Sequence, residues 1–96
     1  MTQQEKISLY TNILESWGLE AQVNMVMEET GEMLSALGKA SRGRVTREEV
    51  ITELADVSIM VEQMAVYFGF AKFEEEKERK LQRLAGRFEK WRKNNE

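Results

Sequence analysis

The sequence predicts an all-α protein, a four-helix bundle-type subunit, and three observations carry that expectation. Proline is absent, β-branched residues are few, and the good helix formers Glu, Lys, Leu, Met and Ala are plentiful. Apolar residues recur at three- and four-residue spacing along most of the chain, the signature of amphipathic helices. Glycines fall where those patterns stop, at Gly18 and Gly69. With 96 residues the chain is expected to form one domain, being too short for two independent cores.

The first helix is expected from Gln3 to Trp17, with Ile7, Tyr10, Ile13, Leu14 and Trp17 at helical spacing and Gly18 ending it. The second runs from Leu19 to Ala40, with a main apolar stripe of Val23, Val26, Met27, Leu34 and Leu37. S-R-G-R, residues 41–44, is the one clear loop. The third helix starts at Thr46, where T-R-E-E matches a capping box: the Thr46 hydroxyl accepts from the Glu49 amide while the Glu49 carboxylate reaches back. It extends to Phe68 on a stripe of Val50, Leu54, Val57, Val61, Met64 and Phe68. Met60 and Tyr67 widen that stripe and Ile59 and Val66 lie behind it, so only a narrow sector with Ser58 and Glu62 is polar. The fourth helix spans Ala71 to Asn94, with Phe70, Phe73, Leu81, Leu84, Phe88 and Trp91 along one face. A helix apolar on nearly every side is a buried one. Four helices in one chain cannot cover the third, so a homodimer or a dimer of dimers (a homotetramer) is expected, with the second and third helices of each chain in a shared core.

Composition narrows the chemistry. Cysteine is absent, which removes disulfides and thiolate metal sites and fits a cytoplasmic setting. Histidine is absent too, so Ser–His and Cys–His catalysis, a carboxylate–histidine di-iron bundle and a zinc enzyme all drop out. Any metal must be held by carboxylate and water oxygens, which favours magnesium, manganese or calcium. No apolar run approaches the roughly 20 residues of a membrane span, and M-T-Q-Q-E-K-I-S-L-Y lacks a signal-peptide core, so no membrane partner is expected. The net charge of −3 is uneven: residues 1–69 carry eleven acids and five bases, residues 70–96 six acids and nine bases.

The acids are misplaced for a solvated surface. Glu53 falls on the flank of the third helix's stripe, beside Met60 and Met64, and Asp56 lies next to Met60 and Tyr67. Three residues apart, the two acids share a face. On the second helix Glu28, Glu29 and Glu32 occupy a side that also carries Met25 and Ala36. Like charges at such spacings destabilise a helix, and gathering them between packed helices requires protonation or a bound cation. Gly31, in the middle of this turn, weakens the helix by about 1 kcal/mol relative to alanine; it is either tolerated or leaves room for a close approach.

E-E-x-x-E (Glu28, Glu29, Glu32), twenty residues, then E-x-x-D (Glu53, Asp56) resembles the motif of the MazG-like all-α nucleotide pyrophosphohydrolases. Q-V-N-M-V-M before the first part, I-T-E-L-A-D-V around the second and the late basic stretch K-E-R-K-L-Q-R-L extend the similarity over residues 17–84. The resemblance implies a helical dimer or tetramer that uses Mg²⁺, with Mn²⁺ as a substitute, to hydrolyse nucleoside triphosphates to monophosphate and pyrophosphate. By position it implies Glu29, Glu32, Glu53 and Asp56 as metal ligands, and Glu28 as a supporting acid that orients water or holds a second ion. Lys77, Lys80 and Arg83 correspond to the segment that lies near the phosphates. Trp17 is a candidate for stacking on the base, although aromatics at helical spacing are more often core.

Two other functions fit the sequence. A variant within the same fold would act on deoxyuridine triphosphate or phosphoribosyl-ATP. A non-catalytic helical adaptor would instead use the basic fourth helix, ending F-E-K-W-R-K, to bind nucleic acid or a protein. It gives the acids no task, so nucleic acid is not the expected partner.

Overall fold

The computed structural model describes residues 1–96 and contains four helices and no strand: α1 (Gln3–Trp17), α2 (Leu19–Ala40), α3 (Arg47–Phe68) and α4 (Phe70–Asn94). The helix boundaries have local causes. At Thr46 the expected capping box is formed: the Glu49 amide donates to Thr46 Oγ1 at 3.2 Å and the Thr46 amide to Glu49 Oε2 at 3.0 Å. A second box, not anticipated, starts α1 with the same reciprocal bonds between Thr2 and Glu5, both 3.1 Å. Gly18 and Gly69 each join two helices as a single residue, with φ of 90° and 131°, values that L side chains rarely adopt. The Gly69 turn is so tight that α4 begins at Phe70, one residue before the expected Ala71.

α2 and α3 form the most extensive pairing, and α1 packs against both. The pair is antiparallel. Gln63 Nε2 donates to Gln22 Oε1 at 2.6 Å, and seven residues further along α2 and seven back along α3, Glu29 meets Asp56. Gln22 and Gln63 are 6% and 2% exposed, so this amide pair lies inside the seam. Tyr10 closes α1 onto α3: it is buried, and its hydroxyl donates to Glu62 at 3.1 Å, with Lys6 3.9 Å from the same carboxylate. Tyr10 is therefore a core residue.

The expected apolar stripes are not the faces that meet within the chain. Val23, Met27, Leu34 and Leu37 of α2 are exposed, as are Leu54, Val61 and Phe68 of α3, Phe68 at 76%. What α2 turns toward α3 is the side carrying Gln22, Glu29 and Ala36, roughly a quarter-turn away at 100° per residue. The reason is that the acid-bearing sides pair inside the chain, which leaves the richest apolar sides unanswered.

The consequences show in the dimensions. Only six of the 96 residues are buried. The radius of gyration is 16.9 Å, against roughly 12.5 Å for a compact domain of this length. The accessible surface is 7429 Å², against roughly 5,700 Å² for a compact monomer of 11.2 kDa. α4 leaves α3 at a turn of 119°, its backbone comes close to α3 alone, and it exposes Leu81, Leu84, Phe88 and Trp91. No single helix is long and apolar enough to cross a membrane.

The Gln22–Gln63 pair yields a stability test. Gln22→Ala leaves the Gln63 amide buried without its partner and is expected to destabilise by about 1–3 kcal/mol in urea unfolding at fixed protein concentration. Gln22→Met with Gln63→Met removes both amides together and is expected to recover most of that loss.

Candidate metal centre

Three carboxylates converge in the α2–α3 seam. One oxygen each from Glu29, Glu53 and Asp56 lies within 4.8 Å of the other two, and all three residues are half-buried. α2 supplies the first and two successive turns of α3 the others, so the antiparallel register set by Gln22 and Gln63 also sets the cluster. Glu29 Oε2 and Glu53 Oε2 are shielded from solvent and have no hydrogen-bond partner. Buried carboxylate oxygens without donors are unfavourable unless they are protonated or coordinate a cation.

The electrostatics agree. Burial raises the Glu29 carboxyl above the ordinary glutamate value of 4.5; the neighbouring negative charges of Glu32, Asp56 and Glu53 raise it further. Glu53 is raised by burial first, then by Glu32 and Asp56. No basic residue offsets them, since the ion pairs of the chain are Lys6–Glu62, Lys72–Glu75, Lys77–Glu74, Arg79–Glu76, Arg92–Glu89 and Arg92–Glu96.

The donor set fits a hard divalent ion. Around Mg²⁺, with bonds of about 2.1 Å, ligand oxygens stand roughly 3.0–4.2 Å apart, and around Ca²⁺ roughly 3.4–4.8 Å. Three carboxylate oxygens within 4.8 Å of one another are thus close enough to share one hard divalent ion.

The other sequence candidates lie at different distances from this cluster. Glu32 is outside the tight group, but its charge acts on both Glu29 and Glu53. Glu28 is exposed, one helical step round from Glu29. Gly31 faces open space within the chain, with nothing within 4 Å of the position a Cβ would take. Trp17 is 68% exposed and precedes α2, roughly 15 Å or more along the helix from Glu29. Lys77, Lys80 and Arg83 are exposed on α4, which departs from the end of α3, roughly 18 Å beyond Asp56. Within one chain they are not brought to the acids. Lys77 instead pairs with Glu74 at 4.0 Å and sits 5.4 Å from the centre of the Phe73 ring.

A polar cleft of about 290 Å³ adjoins the acids, lined by Glu32, Ser35, Ala36, Lys39, Val45, Glu49 and Glu53. Lys39 and Ser35 were not picked out from the sequence. The available signal was spacing: Lys39 follows Glu32 by seven residues, two turns along one side of α2.

No family model, curated protein or solved structure matches this chain. The resemblance to the MazG-like enzymes therefore rests on the two-part acidic motif and its helical setting.

The raised carboxyls fix the sign of a pH effect. For an acid held above its unfolded value, the folded chain binds more protons than the unfolded one. The resulting destabilisation is fully present above the raised value and is relieved as pH falls through it. The metal-free chain is thus expected to melt at higher temperature as pH is lowered from neutrality through the raised carboxyl values, and Glu53→Gln is expected to raise the melting point at neutral pH while flattening that dependence. Glu5 and Glu76 are lowered, so their opposite effect appears only at more acid pH. Saturating Mg²⁺ or Mn²⁺ should reverse the trend, because protons then compete with the ion. Identical melting profiles for the wild type and Glu53→Gln would exclude carboxylate strain in the seam.

Proposed function

We propose that this chain is a Mg²⁺-dependent nucleotide pyrophosphohydrolase, converting a nucleoside or deoxynucleoside triphosphate and water to the monophosphate and pyrophosphate. The observation that carries the reading is the pair of shielded, donorless oxygens on Glu29 and Glu53 beside Asp56. The resemblance of E-E-x-x-E and E-x-x-D to the MazG-like enzymes supports it, as does a chain with no histidine or cysteine for nucleophilic catalysis.

Glu29, Glu53 and Asp56, with Glu32 next to them, would hold the metal, and Mn²⁺ would replace Mg²⁺ in the same oxygen donors. When bound, a divalent ion neutralises phosphate oxygens and makes coordinated water more acidic. The residues do the rest. The seam keeps the three carboxylates ionisable yet short of solvent, so an anionic substrate is attracted only once positive charge is present. Glu28, free on the surface beside Glu29, would orient a water or hold a second ion. Lys77, Lys80 and Arg83 would meet phosphate only if α4 of a second copy carried them there. Trp17 would need the same help to reach a base.

That requirement agrees with a homodimer or a dimer of dimers. The surface beyond that of a compact monomer is roughly 1,700 Å² per chain, or roughly 3,400 Å² for two copies, within the range that obligate homodimer interfaces bury. Its content is apolar: Met27, Leu34, Leu54, Val61, Phe68 and the α4 stripe. The adaptor reading draws less support, because Lys72, Lys77, Arg79 and Arg92 of α4 already pair with glutamates of their own helix.

The test is pyrophosphate release across a panel of nucleoside and deoxynucleoside triphosphates, dUTP and phosphoribosyl-ATP, with and without Mg²⁺. Turnover with Mg²⁺ is expected and should fall by about a hundredfold or more in Glu53→Gln while the helical circular dichroism is kept. No turnover on any compound, or full turnover by Glu53→Gln, would exclude the proposal. Light scattering is expected to give at least twice the mass of 11.2 kDa; a monomer at micromolar concentration would rule out the assembly.

A further inference from the structure

The cleft beside the carboxylates contains a cation that does not have to come from α4. It lies between the C-terminal half of α2 and the first turns of α3, and Lys39 is the one basic residue among its lining residues. None of the chain's ion pairs involves Lys39, although Glu32, Glu49 and Glu53 line the same cleft. Glu49 is already committed, accepting from the Thr46 amide in the α3 capping box. Lys39, itself exposed, thus stands without an ion-pair partner on the rim of an open polar recess of about 290 Å³.

Direction matters as much as charge. Helical side chains lean toward the N-terminus of their helix, so Lys39 leans back along α2 toward Ser35 and Glu32. Two turns separate Lys39 from Glu32, roughly 10.5 Å, and the lysine stem spans about 6 Å of that. The remaining few ångströms suit a phosphoryl group, which would present one oxygen toward the carboxylate side and another to the ammonium.

We propose that Lys39, with the Ser35 hydroxyl as a second donor, binds the polyphosphate of the substrate. The phosphate chain would then run from the acid cluster into the α2–α3 cleft toward the 41–46 loop. This assignment rests on the pyrophosphohydrolase reading and deepens it. It makes the phosphate-binding cation a residue of the same subunit as the carboxylates. A purely structural role for Lys39 also exists, since a cation in the last turn of α2 interacts favourably with the helix C-terminus. That role predicts a change in stability and none in ligand affinity.

Two measurements on the full chain separate these roles. Mn²⁺ binding without phosphate, followed by electron paramagnetic resonance, reports the carboxylates alone. Calorimetric titration with inorganic tripolyphosphate in Mg²⁺ reports the phosphate site. Lys39→Ala is expected to keep Mn²⁺ affinity and to weaken tripolyphosphate binding about tenfold, with KM for the nucleotide raised and kcat little changed. Lys39→Arg should retain most of the affinity, and Lys90→Ala, a control far along α4, all of it. Unaltered tripolyphosphate affinity in Lys39→Ala, with Mn²⁺ still bound, overturns the assignment and leaves the metal reading intact. Loss of affinity in Lys80→Ala but not in Lys39→Ala overturns it in favour of α4. Failure of the wild-type chain to bind Mn²⁺ removes the metal reading and this assignment together.

Discussion

Carboxylates that face each other across a helix pair without a compensating base govern the rest of this molecule. An isolated ionised acid in such a place would shift toward its neutral form or turn outward. Here Glu29, Glu53 and Asp56 are held in place by the register of α2 on α3, and that register is tied down two turns away by the buried Gln22–Gln63 amide pair. Local stability is thereby given up along the seam, a pattern expected where a site must stay open to a charged ligand.

The same pairing explains the shape. By turning their acid-bearing sides toward each other, α2 and α3 leave Met27, Leu34, Leu54 and Val61 facing outward, and α4 adds a second uncovered apolar row. A chain that buries six residues has little core of its own. Its helices are instead secured at their ends, by reciprocal caps at Thr2 and Thr46 and by glycine stops at residues 18 and 69. Ends of this kind define where each helix begins and stops, while lateral packing within the chain stays sparse.

Much of this was legible in the sequence because it is encoded locally. The Thr46 box and the two glycine stops are short-range signals, and they place the helix boundaries to within a residue. The approach of Glu29 to Glu53 and Asp56 followed from finding acids among apolar neighbours on two adjacent helices. Orientation was not legible. A helical wheel ranks faces by hydrophobicity and presumes that the most apolar one meets the nearest neighbour, which fails here because the sides carrying Gln22, Glu29, Asp56 and Gln63 pair instead. Gln22 and Gln63 escaped notice for a related reason: one amide reads as surface, and only the partner 41 residues away makes it core. Lys39 is a lone base on α2 in the sequence, whereas α4 carries a dense basic run in which Lys72, Lys77, Arg79 and Arg92 pair with glutamates of the same helix.

Gly69 also has a mechanical consequence. It is the joint between α3 and a 25-residue helix whose half-buried residues near that joint are Phe70, Phe73 and Glu76. That rod is roughly 37 Å long, so a pivot of about 10° at its base swings the tip through roughly 6 Å, more than one helical pitch. Lever arithmetic of this kind makes Trp91, near the tip, far more sensitive than Phe73 to the angle taken at Gly69.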